Sequence, residues 1–540
     1  MTLIVQKYGG TSVGSVERIQ AVARRIHRTV QQGHAVAVVV SAMGKTTDQL
    51  VGLAQQVAAN PSRREMDMLL STGEQVSIAL LSMALHELGQ PAISLTGAQV
   101  GIVTEAAHSR ARILHIKTNR LEGHLKEGKV VVVAGFQGVT DGEQLEITTL
   151  GRGGSDTSAV ALAAALGASQ CEIYTDVPGI LTTDPRLVPS ARLLSEIGAD
   201  EMLELASLGA KVLHPRAVEI ARNYGVPLVV RSSWTEEPGT RVFSPLPGSR
   251  SLENLEIAKA VDGVILDTDQ AKIALLRVPD RPGIAARLFG ELGRQLVDVD
   301  LIVQSIHEGN SNDIAFTVTR PAFKAAEAVA AAIAPILRSS PAPQSDEAEV
   351  ATDGAIAKVA IVGAGMIGRP GIAAQMFAAL AEAGVNIQMI STSEVQVSCA
   401  IAAADCDRAI QALCDRFEVN SSATRPPAPS HPLAQPLVRG VALDRSQARL
   451  GIRQVVDQPG LAAQIFTALA DAGISVDAII QSQRCRSVNG RLTRDIACTV
   501  AASEAERAQA LLQGVAAGRW GEVSIDPDIA KVSAVGLGMI

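Results

Sequence analysis

The second half of the chain repeats itself. Asp280-Arg281-Pro282-Gly283 leads IAARLFGELG, Arg369-Pro370-Gly371 leads IAAQMFAALAEAG, and Asp457-Gln458-Pro459-Gly460 leads LAAQIFTALADAG. Each reads as a strand, a Pro-Gly turn, an amphipathic helix and a further strand, a unit too small to bury its own apolar face and therefore built to pack on its neighbours. The first and third copies agree best. Their glycines (283 and 460) and their glutamines (304 and 481, in DLIVQS and DAIIQS) are both 177 positions apart. The second copy opens with Lys358-Val-Ala-Ile-Val-Gly-Ala-Gly-Met-Ile, and the last ten residues, from Lys531, are Lys-Val-Ser-Ala-Val-Gly-Leu-Gly-Met-Ile. A whole pair of modules has been duplicated. The final stretch reads as a fourth copy that stops after its first strand, or as a strand that completes another module. Proline-rich polar stretches at 339–354 and 424–436 read as linkers.

The first 250 residues alternate instead. Apolar strands at Leu3–Gln6, Ala35–Val40, Val130–Ala134, Glu172–Thr175 and Leu228–Arg231 are separated by helical patterns at Val16–Gln31, Arg64–Leu88 and Ala159–Leu166, which predicts an α/β fold around a mainly parallel sheet. Three strand-to-helix turns are rich in glycine: Lys7-Tyr8-Gly9-Gly10-Thr11-Ser12, Ser41-Ala42-Met43-Gly44-Lys45-Thr46-Thr47, and Gly151-Arg152-Gly153-Gly154. Backbone amides at such turns, with the positive end of the helix dipole behind them, make anion sites. The third turn carries a forked cation, Arg152, and a carboxylate, Asp156, with Ser155 or Asp156 as the expected helix cap. Cation and carboxylate together suit a zwitterionic amino acid. The spacing is not that of a Walker A loop.

Composition closes off other classes. A length of 540 residues allows three or more domains, and 47% hydrophobic residues can fill their cores. Aromatics at 2% leave little for stacking on bases, and a net charge of −7 without a basic block argues against nucleic acid and anionic membrane surfaces. The six cysteines show no CxxC pair and read as reduced thiols. Leu3-Ile4-Val5 runs straight into Lys7 with no signal-peptide pattern, and no apolar run reaches the ~18 residues of a membrane span. A cytoplasmic enzyme or sensor is expected.

KYGGTS, VVVSAMGKTTD, STGEQVS, TTLGRGGSDTSA, YTDVPGILTTDPR and GAKVLHPRA, in this order, resemble the aspartate kinases of the amino-acid kinase family, and the repeats resemble ACT domains. A duplicated ACT pair is similar to the cyanobacterial-type arrangement. The resemblance implies a three-layer α/β kinase domain over 1–250, followed by α+β ACT (βαββαβ) modules at 262–338, 355–423 and 437–517, with an incomplete fourth at 526–540. It implies transfer of the ATP γ-phosphoryl group, with Mg²⁺, to the β-carboxylate of L-aspartate. A carboxylate nucleophile is ionised at neutral pH, so positioning and charge neutralisation suffice without a general base.

By the same resemblance, Lys7 and Asp156 are catalytic. Lys7, Tyr8, Gly9, Gly10, Ser41, Thr175, Asp176, Asp184, Arg186 and Lys211 are implied to meet ATP, and Thr47, Glu74, Arg152, Gly153, Gly154 and Ser155 the aspartate. No metal site of protein side chains alone is implied. By position alone Glu74 would be a surface acid on a long helix, and His214, before Pro215, a turn residue. Asp280, Gly283, Ala285 and Gln304, repeated as Asp457, Gly460, Ala462 and Gln481, are the implied effector sites for lysine, threonine or both. The second copy has Arg369 where the others have aspartate and is expected to pair without binding ligand. ACT pairing leads to an expected homodimer. Two further readings are another amino-acid kinase relative and a non-catalytic sensor. The GRGGSD turn with Glu74 counts against the first, and the retained Lys7, Arg152, Asp156 and Asp176 count against the second.

Overall fold

The computed structural model describes residues 2–536 apart from 209, 211, 245–250, 257–259, 308–310, 338–348, 364–365, 367–368, 394, 420 and 423–436. It divides into two compact units. One comprises residues 1–258 with 435–443 and 532–539, and the other 259–434 with 444–531 and residue 540.

The first unit is built on an eight-stranded sheet in the order Glu196–Gly198, Thr240–Phe243, Leu228–Ser232, Gln170–Thr175, Thr2–Tyr8, His34–Val40, Val130–Ala134, Ala92–Leu95. Every pairing is parallel except that of Leu228–Ser232 with Thr240–Phe243. HAVAVVV and VVVVA are unbroken apolar runs because a parallel sheet is covered on both faces. Val36, Val38 and Val40 meet Ile19, Val22 and Ile26 of helix Val16–Gln31 and Ile78, Leu81 and Leu85 of helix Arg63–Glu87. Helix Gly154–Ala165 packs on the central strands and also against helix Pro215–Tyr224, and residues 154–163 are all buried. Covered on every side, it lacks amphipathic periodicity, so its apolar run at 159–166 was legible but its first turn was not. A smaller sheet, Ile113–Ile116, Ile102–Thr104, Gln137–Thr140, Ile147–Thr149, leads into the GRGG turn.

Helix Arg63–Glu87 is, among the described residues, the one helix long and apolar enough to cross a membrane. It carries buried Asp67, Ser71, Glu74 and Ser77 inside this domain, which is the pattern of a core helix.

In the second unit the repeats appear as βαββα modules. Strand Gly263–Pro279 serves two of them: Ala271–Pro279 pairs with Ser311–Val318, and Gly263–Asp267 pairs with Lys358–Val362 of strand Glu349–Val362. The stretch from 349 to 354, expected as linker, is therefore strand; its alternating Val350 and Thr352 lie opposite Leu275 and Ile273. The second linker lies outside the described residues. The duplication is visible in side chains too. Lys358 Nζ pairs with Asp300, and Lys531 Nζ pairs with Asp477 at 2.6 Å. The strand Lys531–Val535 pairs with Gly440–Asp444 in a two-stranded ladder of which residues 532–535 and 440–443 are grouped with the first unit.

The second and third modules pack helix on helix. Phe377 and Phe466 lie 5.5 Å apart between Ile372–Glu382 and Leu461–Asp471. Thr392 Oγ1 stitches their edge strands by donating to Asp477 O at 2.9 Å and accepting from Ile479 N at 3.2 Å. One continuous apolar core fills both modules. All six cysteines are free, and four of them are buried.

Candidate active site and effector pockets

The sheet order reverses at Thr2–Tyr8, whose neighbours are His34–Val40 on one side and Gln170–Thr175 on the other. The crevice beyond the carboxyl ends of strands at such a switch point is the usual ligand position in α/β folds. The glycine turns gather there. Ser41 N donates to Tyr8 O at 3.1 Å, Gly44 N to Gly10 O at 3.0 Å and Gly9 N to Tyr174 O at 3.4 Å.

Lys7 is partly buried near the carboxyl end of its strand. Its Nζ lies 2.6 Å from Asp156 Oδ1, with both side chains only 12% exposed. The two therefore form a close ion pair at the carboxyl end of the strand. Successive strand residues point to opposite faces. Tyr8 therefore does not join Lys7. It is fully buried, stacked on Tyr174 at 4.7 Å, and its hydroxyl donates to Gln6 Oε1 at 3.2 Å. Tyr8 braces the strand ends. Glu172 closes this layer by accepting from Gln6 and from the Tyr174 hydroxyl.

The GRGG turn uses Gly153 as helix cap, with φ 69°, and Ser155 and Asp156 are buried inside the first helical turn and do not cap it. The left-handed backbone at Gly153 ends the preceding loop abruptly, so the helix starts earlier than a side-chain cap would place it. A Cβ at Gly153 would sit 2.1 Å from the His214 ring. His214, the cap of helix Pro215–Tyr224, is thus packed on the turn. Burial, and then the Arg216 guanidinium, hold its pKa below the ordinary histidine value against the pull of Asp156 and Glu256. Gly154 is buried behind the turn, and Arg152 projects into solvent.

Glu74 is not a surface acid. It is 2% exposed, its Oε1 accepts from Ala42 N at 3.0 Å, and its Oε2 is buried without a partner. Burial raises its pKa to about 7, against the Ala42 hydrogen bond, which lowers it. Thr47 lies in the first turn of helix Thr46–Val57, on the same loop as Ala42. Thr175 Oγ1 donates to Asp176 at 3.3 Å at the next strand end. Asp184 and Arg186 pair with each other at 2.7 Å on an exposed loop, with Arg186 81% exposed. Lys211 lies outside the described residues.

Two supports were not legible in the sequence. Asp67, fully buried, accepts from Thr149 Oγ1 at 2.6 Å, His108 Nδ1 at 2.9 Å and Ser109 N at 3.0 Å, holding the 107–110 loop against the turn. Arg216 binds Glu256 through Nε at 2.8 Å and Nη2 at 2.9 Å, and also donates to the Leu150 and Ala111 carbonyls. Their only sequence signal was polar residues near the motifs.

In the second unit, Gly283, Gly371 and Gly460 cap their helices with φ 91°, 96° and 96°. Asp457, Gly460, Ala462 and Gln481 line one crevice, closed by Phe377, Val385 and Ile387 of the second module. Asp280 accepts from Asn312 Nδ2 at 2.9 Å, Ala285 is half-buried beside its cap, and Gln304 is exposed, unlike buried Gln481.

A parallel α/β domain with a lysine at a switch-point glycine turn, followed by paired βαββα modules, defines an amino-acid kinase with regulatory modules. The amino acid kinase family profile matches residues 2–232, and the ACT domain profile matches 359–417 and 453–514. An aspartokinase of Bacillus sp. (strain MGA3) is 49% identical over 425 residues, 79% of this chain and 99% of the relative. An aspartokinase of Pseudomonas aeruginosa is 50% identical over 423 residues, 78% of this chain and 99% of the relative. The crystal structure of aspartate kinase from Synechocystis superposes with a TM-score of 0.85 at 65% identity, covering 100% of this chain and 89% of that one. The chain belongs to the aspartokinases.

Proposed function

We propose that this chain transfers the γ-phosphoryl group of MgATP to the β-carboxylate of L-aspartate, giving 4-phospho-L-aspartate. A carboxylate oxygen attacks Pγ in line, the bond from Pγ to the β,γ-bridging oxygen breaks, and ADP leaves with that electron pair. The observation that carries the reading is a cation and an incompletely partnered acid in one domain: Lys7 paired with Asp156 at 2.6 Å, and Glu74 with a buried, partnerless oxygen.

Lys7 and the amides of Gly10 and Thr11 neutralise the transferring phosphoryl group, and Asp156 keeps Lys7 aimed. Glu74 takes the substrate ammonium, which restores its ionisation, while Arg152 and the amides of Gly153 and Ser155 take the α-carboxylate. Thr47 hydrogen-bonds the substrate. Ser41, Thr175, Asp176 and the 184–186 loop, with Lys211, surround the nucleotide, and Mg²⁺ enters on its phosphates. The acyl phosphate opens lysine, threonine and methionine synthesis in the cytoplasm. Lysine and threonine act back through the ACT modules of a homodimer by binding one arrangement of the enzyme better than another.

The test is hydroxamate formation from ATP, Mg²⁺ and hydroxylamine. Product with aspartate, none with glutamate, and loss in Lys7→Ala are expected. A folded, ATP-binding protein that yields no hydroxamate refutes the assignment. Addition of lysine and threonine in the same assay reads the regulation.

A further inference from the structure

One strand of the repeat is put to two different uses. Val261-Asp262-Gly263-Val264-Ile265-Leu266-Asp267 comes again as Val438-Arg439-Gly440-Val441-Ala442-Leu443-Asp444. The backbone is alike in both copies. Asp262 N donates to Val362 O at 2.7 Å, and Arg439 N to Val535 O at 2.8 Å. Gly363 and Gly536 approach these strand starts so closely that a Cβ would lie 2.4 Å from Ala260 O and 2.1 Å from Leu437 O. The second copy, however, carries a cation in place of an aspartate, and its residues 435–443 group with the first unit.

There Arg439 Nε lies 3.7 Å from Glu201 Oε1, with the side chains 9% and 4% exposed. An aspartate at 439, as at 262, would set two buried carboxylates side by side. Glu201 is itself anchored, since its Oε2 accepts from Gly198 N at 3.1 Å at the start of helix Ala199–Ser207. Gly440 packs on Leu205 of that helix. A Cβ there would meet Leu205 Cδ2 at 3.0 Å and Thr182 O at 3.3 Å. Val441 N then donates to Thr182 O at 2.8 Å.

Thr182 is the neck of a loop. Its amide donates to Arg192 O at 2.9 Å, its hydroxyl accepts from Arg192 N at 3.0 Å, and Leu181 bridges Leu193. The closed neck carries residues 183–191, and with them the Asp184–Arg186 pair. The amide and hydroxyl of Thr182 hold the neck shut, while its carbonyl is gripped from outside by Val441. Resting on the reading that this loop surrounds the nucleotide, we infer that Arg439 and Val441 are positioning residues for ATP. Arg439 fixes the strand on helix Ala199–Ser207, and Val441 fixes the neck, so Asp184 and Arg186 just beyond it keep their place. The charge reversal at 439 fits this copy of the strand to the kinase domain.

Steady-state kinetics of the full chain in the hydroxamate assay test this. Arg439→Ala and Val441→Pro should each raise the KM for ATP about tenfold, the scale of one lost hydrogen bond, and leave kcat and the KM for aspartate within about twofold. Arg439→Lys, which keeps the charge, should recover most of the loss, and Arg439→Asp should exceed the loss in Arg439→Ala. Trypsin gives a second readout that needs no activity: cleavage after Arg186 should be about fivefold faster in Val441→Pro, because a released neck opens more often. A wild-type KM for ATP in Arg439→Ala and Val441→Pro, or a fall in kcat with both KM values raised together, would overturn the inference. Arg186→Ala probes the reading beneath it, since an unchanged KM for ATP in that variant would refute the nucleotide loop itself.

Discussion

Glu74→Gln separates what a buried acid does for folding from what it does for substrate. Burial lifts the carboxyl from 4.5 to about 7. A folded-state pKa above the unfolded value means that stability is fully present below pH 4.5 and is lost as pH rises through 7. At roughly 1.4 kcal/mol per unit, the wild-type kinase domain gives up about 3 kcal/mol by pH 8 to ionise this group. Glutamine keeps the acceptor for Ala42 N and never ionises. The variant should therefore gain less than about 1 kcal/mol at pH 5 and about 3 kcal/mol at pH 8, measured as the difference in urea-unfolding free energy of the kinase domain. Activity should move the other way. A lost buried charge pair of roughly 2–5 kcal/mol corresponds to an aspartate KM about 30- to several-thousand-fold higher at pH 8. A variant with wild-type KM, or with a stability difference independent of pH, would refute the placement of an empty, ionisable carboxylate at the substrate ammonium.

Other variants probe the neighbouring elements. Lys7→Ala should lower kcat by ~10²–10³-fold with ATP binding retained, read as initial rates against nucleotide affinity. Gly153→Ala should abolish hydroxamate formation because of its φ and the His214 ring; Gly153→Ala with His214→Ala relieves only the clash and should recover part of the rate. Glu256→Ala strands half-buried Arg216 and should cost about 3 kcal/mol by denaturant titration, whereas a cost under about 1 kcal/mol would show that the pair is not a brace.

The sequence alone was enough for the division into an alternating α/β half and a repeating half, because strand–helix alternation and duplicated Pro-Gly turns are local patterns. It also carried the motif order, and with it the residues Lys7, Glu74, Arg152 and Asp156. Tertiary structure decided everything that depends on which side chains share a space. Strand alternation sends Tyr8 away from Lys7 and into a stack on Tyr174. The sheet brings the loop at Ala42 down on a helix 32 residues later, burying Glu74, and Pro215–Tyr224 carries His214 onto Gly153 from 61 residues away. Periodicity records which face of an element is apolar; it holds no record of the distant polar group that the fold will press against it.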